Sequence, residues 1–245
     1  MKRLSRWWWI LPAVVVVALG GAVLWALLVP SPMDEALDAL QTGGGVDVSV
    51  DRWLVFRPAD MEPNVGLILY PGGRVDPRAY APTARAIAGE GYLVVIVPMP
   101  LNLAVLGAGR GAAVIDEFAG VEHWAIGGHS LGGAMAAKFA YDNAGLVDGL
   151  VLWASYPAGS NDLSRYDLVA TSVYGTLDGL ASEGEVVASW QLVPDGTRWV
   201  AIEGGNHAQF GWYGTQRGDG EATIDRQAQQ AQIVAATLDV LARLQ

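Results

Sequence analysis

The sequence predicts an α/β domain built on a mostly parallel sheet with helices on both faces, preceded by one transmembrane helix. Three observations lead there. Apolar runs of strand length alternate with helical stretches from residue 48 onward. The runs in the middle of the chain are almost continuous Val, Ile and Leu, as strands covered on both faces are. Residues 7–29, finally, carry no charge over 23 positions.

That N-terminal run corresponds to about 35 Å of helix, enough for a hydrocarbon core of ~30 Å. Lys2, Arg3 and Arg6 precede it and the next basic residue is Arg52. The positive-inside bias therefore leaves the N-terminus in the cytoplasm and exports the rest, with Trp7, Trp8 and Trp9 at the inner interface. A cleaved signal peptide is the alternative, but its apolar region spans about 7 to 15 residues and ends in a small-x-small site. This run is longer and ends "LWALLVPSP". The expectation is an uncleaved anchor over 1–30, a single-pass cell-membrane protein with its domain outside the cytoplasm. Residues 31–46, closing on three glycines, read as a linker. Residues 47–245 form the domain, an ordinary size for one α/β unit.

Within the domain, "VSVDRWLVF" (48–56) alternates in period 2, as an edge or antiparallel strand does. Strands follow at 65–70, 92–98, 123–128, 149–155, 168–175 and 198–205. Helices are expected over 76–91, 109–120, 131–145 and 179–193, and over the long amphipathic run 221–245. Such βαβ units have right-handed crossovers and bind ligands beyond the carboxyl ends of their strands.

Composition removes several function classes. The chain has 25 acidic against 15 basic residues, a net charge of −10, and three of the basic ones precede residue 7. An acidic domain does not bind nucleic acid through its phosphates. The absence of cysteine excludes disulfides, thiolate metal sites and a cysteine nucleophile. Three histidines in all argue against a histidine-rich metal site.

The chemistry centres on Gly128-His129-Ser130-Leu131-Gly132. With 31 glycines in the chain, the bare pattern G-x-S-x-G could arise by accident; its setting carries the argument. The motif follows the strand "HWAIGG" and opens the small-residue helix "LGGAMAAKFA", the strand-turn-helix that a nucleophile elbow needs. Glycines on either side let strand and helix approach closely around a strained serine. Leu131 N–H, in the first turn of the helix, would aim a donor at an oxyanion.

A serine hydroxyl needs a base, usually a histidine held by a carboxylate. His129 adjoins Ser130 at a sharp turn and must diverge from it. His123 lies at the far end of the strand, about 16 Å away at ~3.3 Å per residue. His207 remains, just after the last strand and so at the same sheet edge; a structural loop histidine is the other reading of it. For the acid, Asp178 follows the strand ending at Gly175, with the alternative that it only caps the helix after it. A second oxyanion donor is expected in "LYPGGRVDP", where Gly73 N–H is the choice and Gly72 or Arg74 could serve instead. Phe210, Trp212 and Tyr213 either wall a substrate pocket or pack under the C-terminal helix.

Taken in order, "LYPGG", "GGHSLGG", "YGTLDG" and "GGNHAQFG" resemble the α/β-hydrolase superfamily over residues 48–244. The resemblance is greatest to small lid-less members of the dienelactone-hydrolase-like and "fold-5" groups. It implies a three-layer sheet with helices on both faces, an acyl-enzyme mechanism, and Ser130, Asp178 and His207 as triad. Dienelactone hydrolases use cysteine where this chain has serine, so hydrolysis of a plain ester or related acyl bond fits better.

The expected function is therefore a membrane-tethered serine hydrolase acting on a small-molecule ester, with no cofactor or metal required and no nucleic-acid partner. Only 12 residues, 156–167, separate two strands where lids are commonly inserted, so the pocket should be open and the ester compact. A tethered hydrolase-fold protein that binds without catalysing is the alternative from another class. An acyltransferase or peptidase would use the same triad.

Overall fold

The computed structural model describes residues 10–245. Of the expected anchor, Trp7, Trp8 and Trp9 and the basic residues before them lie outside the described residues. Helix α1 (Ile10–Leu27) ends ahead of Pro30 and Pro32, which supply no backbone donor, and exposes Leu11, Val17, Leu19 and Leu24. Among the described residues, no helix is long and apolar enough to cross a membrane. The 18 residues of α1 amount to about 27 Å, short of the ~30 Å hydrocarbon core.

The linker is not a bare stalk. It contains α2 (Asp34–Asp38), whose first-turn acids suit the positive end of a helix, and it is docked on the domain. Ala36 is fully buried, Met33 N–H donates to the Trp212 carbonyl (2.8 Å), and Arg85 donates to the carbonyls of Ala39 (2.9 Å) and Gly43 (2.7 Å).

Eight strands form one sheet: β1 (Val46–Val50), β2 (Leu54–Pro58), β3 (Val65–Tyr70), β4 (Leu93–Ile96), β5 (His123–His129), β6 (Gly149–Trp153), β7 (Val169–Gly175) and β8 (Arg198–Ile202). Their order is β1-β2-β4-β3-β5-β6-β7-β8, with the β1–β2 and β2–β4 pairs antiparallel and the remaining pairs parallel. The run 48–56, expected as one strand, is thus a hairpin with Val50 opposite Leu54. The turn falls at Asp51-Arg52, where two adjacent polar residues interrupt the alternation. The turn buries Trp53, whose indole N–H donates to Glu117 Oε2 (2.7 Å).

Helices α3 (Ala81–Gly89) and α7 (Arg226–Ala242) pack on one face around Ile87, Ile233 and Val240; α4 (Gly111–Glu117) and α5 (Leu131–Asp142) cover the other around Val114, Ile126 and Phe139. Each such side chain, fully buried, contributes about 1.5–3 kcal/mol. Two helices begin later than expected because their caps lie inside the predicted runs. Asp225 accepts from Ala228 N–H ahead of α7 (2.7 Å). Ser182 and Glu185 form a capping box ahead of α6 (Glu183–Ala188). Between β6 and β7, residues 154–168 form neither helix nor strand, so no cap domain stands over the carboxyl edge. The ends of β3, β5, β7 and β8 all open there.

Candidate active site

Ser130 stands between β5 and α5 with φ 53° and ψ −124°, a conformation that costs on the order of 1–3 kcal/mol and needs its surroundings to hold it. Its N–H donates to the Trp153 carbonyl (2.9 Å), and the Ser155 hydroxyl donates to its carbonyl (2.7 Å). The flanking glycines are required by proximity. A Cβ on Gly128 would sit 2.5 Å from the Tyr70 oxygen and 2.6 Å from the Gly132 carbonyl carbon; one on Gly132 would come still nearer to Tyr70. Real Cβ atoms do not approach so closely, so only glycine lets β5, α5 and the end of β3 meet.

The structure brings Asp178 and His207 together. Asp178 Oδ2 lies 2.7 Å from His207 Nδ1, and the two side chains are 0% and 1% exposed, so solvent does not weaken the pair. Asp178 Oδ1 accepts the N–H groups of Leu180 (2.8 Å) and Ala181 (2.7 Å). The carboxylate therefore does both jobs weighed for it, caging the turn and orienting the histidine. The His207 ring lies 4.4 Å, centroid to centroid, from that of His129, the residue before Ser130. No hydrogen bond joins the Ser130 hydroxyl to His207 among the described residues, and in unliganded enzymes this contact often tightens only when substrate binds. His123, at the other end of β5, pairs with Asp148 (3.2 Å).

His129 is fully buried. Gly72 N–H donates to the Tyr80 hydroxyl (2.9 Å), which lies 2.8 Å from His129 Nδ1. Since the hydroxyl's remaining role is donor, Nδ1 accepts. Burial first, and the neighbouring His207 second, hold the His129 pKa well below the ordinary imidazole value, so the ring stays neutral. The unfolded chain takes up a proton there below about pH 6.5, and the folded one does not. This contribution to stability is therefore complete above about pH 6.5 and is lost as the pH falls below it. Urea midpoints measured at pH 7.5 and 5.5 should drop for the native chain, and drop less for His129→Gln.

One residue that sequence reasoning missed organises the site. Asp219 Oδ1 accepts from the N–H groups of Gly179 (3.1 Å), His207 (3.1 Å) and Gly220 (2.8 Å), and Oδ2 from Ala208 (2.8 Å). A single carboxylate thus ties the loop bearing Asp178 to the loop bearing His207. Nothing in "QRGDGEAT" marks it, because its partners are backbone groups brought near only by folding. Asp219→Ala would leave four donors without their acceptor, at about 1–3 kcal/mol for each one left buried and unpaired. The expected result is a lower thermal midpoint and a roughly 10- to 100-fold lower kcat through misplaced groups. Thermal melts and steady-state rates check both, with Asp219→Asn intermediate.

The loop after β3 leaves one backbone donor unspent. In the loop after β3, Pro71 has no N–H, Gly72 N–H is used by Tyr80, and Arg74 N–H donates to the Asn102 carbonyl (2.7 Å). Gly73 N–H has no acceptor among the described residues. A Cβ on Gly73 would lie 3.1 Å from Leu131 Cδ2, so the loop rests against the first residue of α5, whose own N–H is unpaired within the described chain as the first of a helix must be. Gly73 and Leu131 thus each present a free donor at this corner.

Two clefts adjoin it. One of about 290 Å³ is lined by Ser130, Leu131, Ala134, Ala154, Ser155, Tyr156, Leu180 and Ala181. The other, about 650 Å³, is bounded by Leu28–Pro30, Gly73–Val75, Tyr213 and Thr215–Arg217. Phe210 and Trp212 line neither. Phe210 stacks on His129 (5.6 Å, 6°). Trp212 is 7% exposed, and its backbone pairs with Ala79 and Met33. Of the three aromatics weighed as a substrate wall or as packing under the C-terminal helix, only Tyr213 borders one of these two clefts; Phe210 and Trp212 are buried because the 208–213 turn tucks beneath the linker. Among the described residues, no group of three or more His, Asp or Glu is placed to hold a metal ion.

The site thus holds a buried Asp178–His207 pair, a strained serine turn and free N–H donors at the same edge of the sheet. A sequence profile described as the alpha/beta hydrolase family matches residues 66–231. The chain belongs to that family. No curated protein matches this hydrolase. Among solved structures it is similar to the native thermophilic esterase Est2 from the Planctomycetes species Thermogutta terrifontis, with 15% identity, a TM-score of 0.60, and 88% of this chain and 96% of that one covered. The propionate-bound form of Est2 is similar at 16% identity and TM-score 0.60, covering 82% and 95%. A cold-adapted esterase from an Arctic intertidal metagenomic library is similar at 13% identity and TM-score 0.56, covering 77% and 87%. At these identities the likeness is one of fold.

Proposed function

We propose that this hydrolase is a serine esterase acting on small carboxylic esters through an acyl-enzyme. The observation that carries the reading is the buried Asp178–His207 pair, 2.7 Å apart, beside a strained serine at the carboxyl edge of the sheet. Ser130 Oγ attacks the ester carbonyl while His207 takes its proton, and Asp178 holds the imidazolium that results. The N–H groups of Leu131 and Gly73 receive the charge on the oxygen. His207 then returns the proton to the leaving alcohol, and a water molecule repeats the sequence on the acyl-enzyme. The small apolar cleft at Ser130 suits a short acyl group, and a similar esterase structure holds propionate. The test is a fluorophosphonate probe with 4-nitrophenyl acetate as substrate. One label on the Ser130 peptide and an initial burst of nitrophenol support the reading. A folded chain that neither labels nor turns over ester refutes it.

We also propose that the N-terminal segment tethers the domain to the cell membrane. The support is the charge-free run 7–29 behind three basic residues; α1 alone is shorter than the span required. The full chain should sediment with membranes through an alkaline wash, and the chain lacking residues 1–30 should not.

A further inference from the structure

We propose that Arg74 is a positioning residue through which the C-terminal end of α1 holds the oxyanion loop in place, so that the N-terminal helix is part of the catalytic machinery as well as a tether. This rests on the esterase reading of the same site.

The last carbonyls of a helix have no partner within it. Three in and just beyond the last turn of α1 are met by residues next to Gly73. Arg74 Nε donates to the Trp25 carbonyl (3.1 Å) and Nη2 to that of Leu28 (2.9 Å), while Asn102 Nδ2 donates to Ala26 (3.3 Å). The guanidinium also lies 3.9 Å from the centroid of the Trp25 ring. A cation at the negative end of a helix and over an indole face is favourable on both counts. Arg74 forms no ion pair with a carboxylate among the described residues, so α1 is its principal side-chain partner there.

The same two residues shape the loop. Arg74 N–H donates to the Asn102 carbonyl (2.7 Å), which commits that donor and leaves Gly73 N–H as the free one. Arg74, Leu101 and Asn102 have φ of 58°, 52° and 54°. Left-handed backbone at three residues with side chains persists only where the surroundings impose it. For Arg74 and Asn102, the contacts with α1 are that imposition. Without them the Arg74 turn relaxes toward negative φ, and Gly73 N–H loses its aim at the place beside Leu131 where negative charge develops.

The test uses the full chain in detergent with 4-nitrophenyl acetate. Arg74→Ala should lower kcat about 10- to 100-fold, somewhat less than outright loss of an oxyanion donor, with KM within about 2-fold and the thermal midpoint little changed. Arg74→Lys, which keeps the charge but not the fork, should fall between. Trp25 is 55% exposed, so Trp25→Ala disturbs no core; it should lower kcat in the same direction, and the double variant should be no slower than Arg74→Ala alone. An active native chain whose kcat is unmoved by Arg74→Ala overturns the proposal, as do losses that simply multiply in the double variant. Should Arg74→Ala fail to fold, Arg74→Lys and Trp25→Ala decide: full activity in both overturns it. A native chain with no esterase activity overturns the underlying reading and this one with it.

Discussion

Ser130→Ala is expected to lower kcat for 4-nitrophenyl acetate by on the order of 10⁶-fold, the scale seen when a triad nucleophile is removed from a serine hydrolase. Alanine keeps the Cβ, so the turn at φ 53° is held as before. The lost hydroxyl makes no hydrogen bond to the protein among the described residues, so the thermal midpoint should stay within a degree or two of the native value. What disappears is the attacking oxygen. The donors at Gly73 and Leu131 remain and should sustain about 10³-fold over the uncatalysed rate. Substrate affinity, measured by inhibition with a non-electrophilic ether analogue of the ester, should change little. Steady-state rates together with the fluorophosphonate label decide the matter: a variant that retains a tenth of native activity would remove Ser130 from the mechanism.

Asp178→Asn carries the second-largest effect, and the geometry fixes its sense. Oδ1 accepts two backbone N–H groups, from Leu180 and Ala181, while Oδ2 faces His207 Nδ1. An asparagine must keep its oxygen toward the two donors, which turns its NH₂ toward His207. Nδ1 then has to accept, the imidazole proton moves to Nε2, and the ring can no longer take a proton from Ser130. The expected loss in kcat is about 10⁴-fold, with the fold intact, as for the wrong tautomer in other triads. Rates and a thermal melt read together check this, and ¹⁵N-edited spectra of the histidine ring should show the proton on Nε2. Normal activity in a folded Asp178→Asn chain would assign the acid elsewhere.

Much of this site could be read along the chain. Ser130 announces itself because an elbow demands glycines at fixed offsets between an apolar strand and a small-residue helix. His207 followed from scarcity: with three histidines, one bound beside the serine and one at the wrong end of β5, a single base remained. Asp178 was singled out by its place after β7, and it lies 2.7 Å from His207 Nδ1. Asp219 was not, since its four partners are backbone N–H groups of residues 179, 207, 208 and 220, and no residue type or spacing encodes them. The β1–β2 turn was passed over because Asp51-Arg52, the two-residue break in the alternation, has no glycine or proline to punctuate it. The docking of α2 was hidden too, because a five-residue helix has no periodicity of its own to read.

What the sequence by itself determined was the order of strands and helices from β3 onward, the location of the elbow, and the few side chains able to carry acid–base chemistry. Each of these depends on local steric rules and on the period of apolar residues, which act over a few neighbours. Only the tertiary structure decided which N–H groups of the loop after β3 are already spent, that Phe210 and Trp212 are buried, and that the end of α1 reaches Arg74. Those outcomes depend on which donors are already spent and which surfaces meet, a property of groups far apart in the chain and close in space.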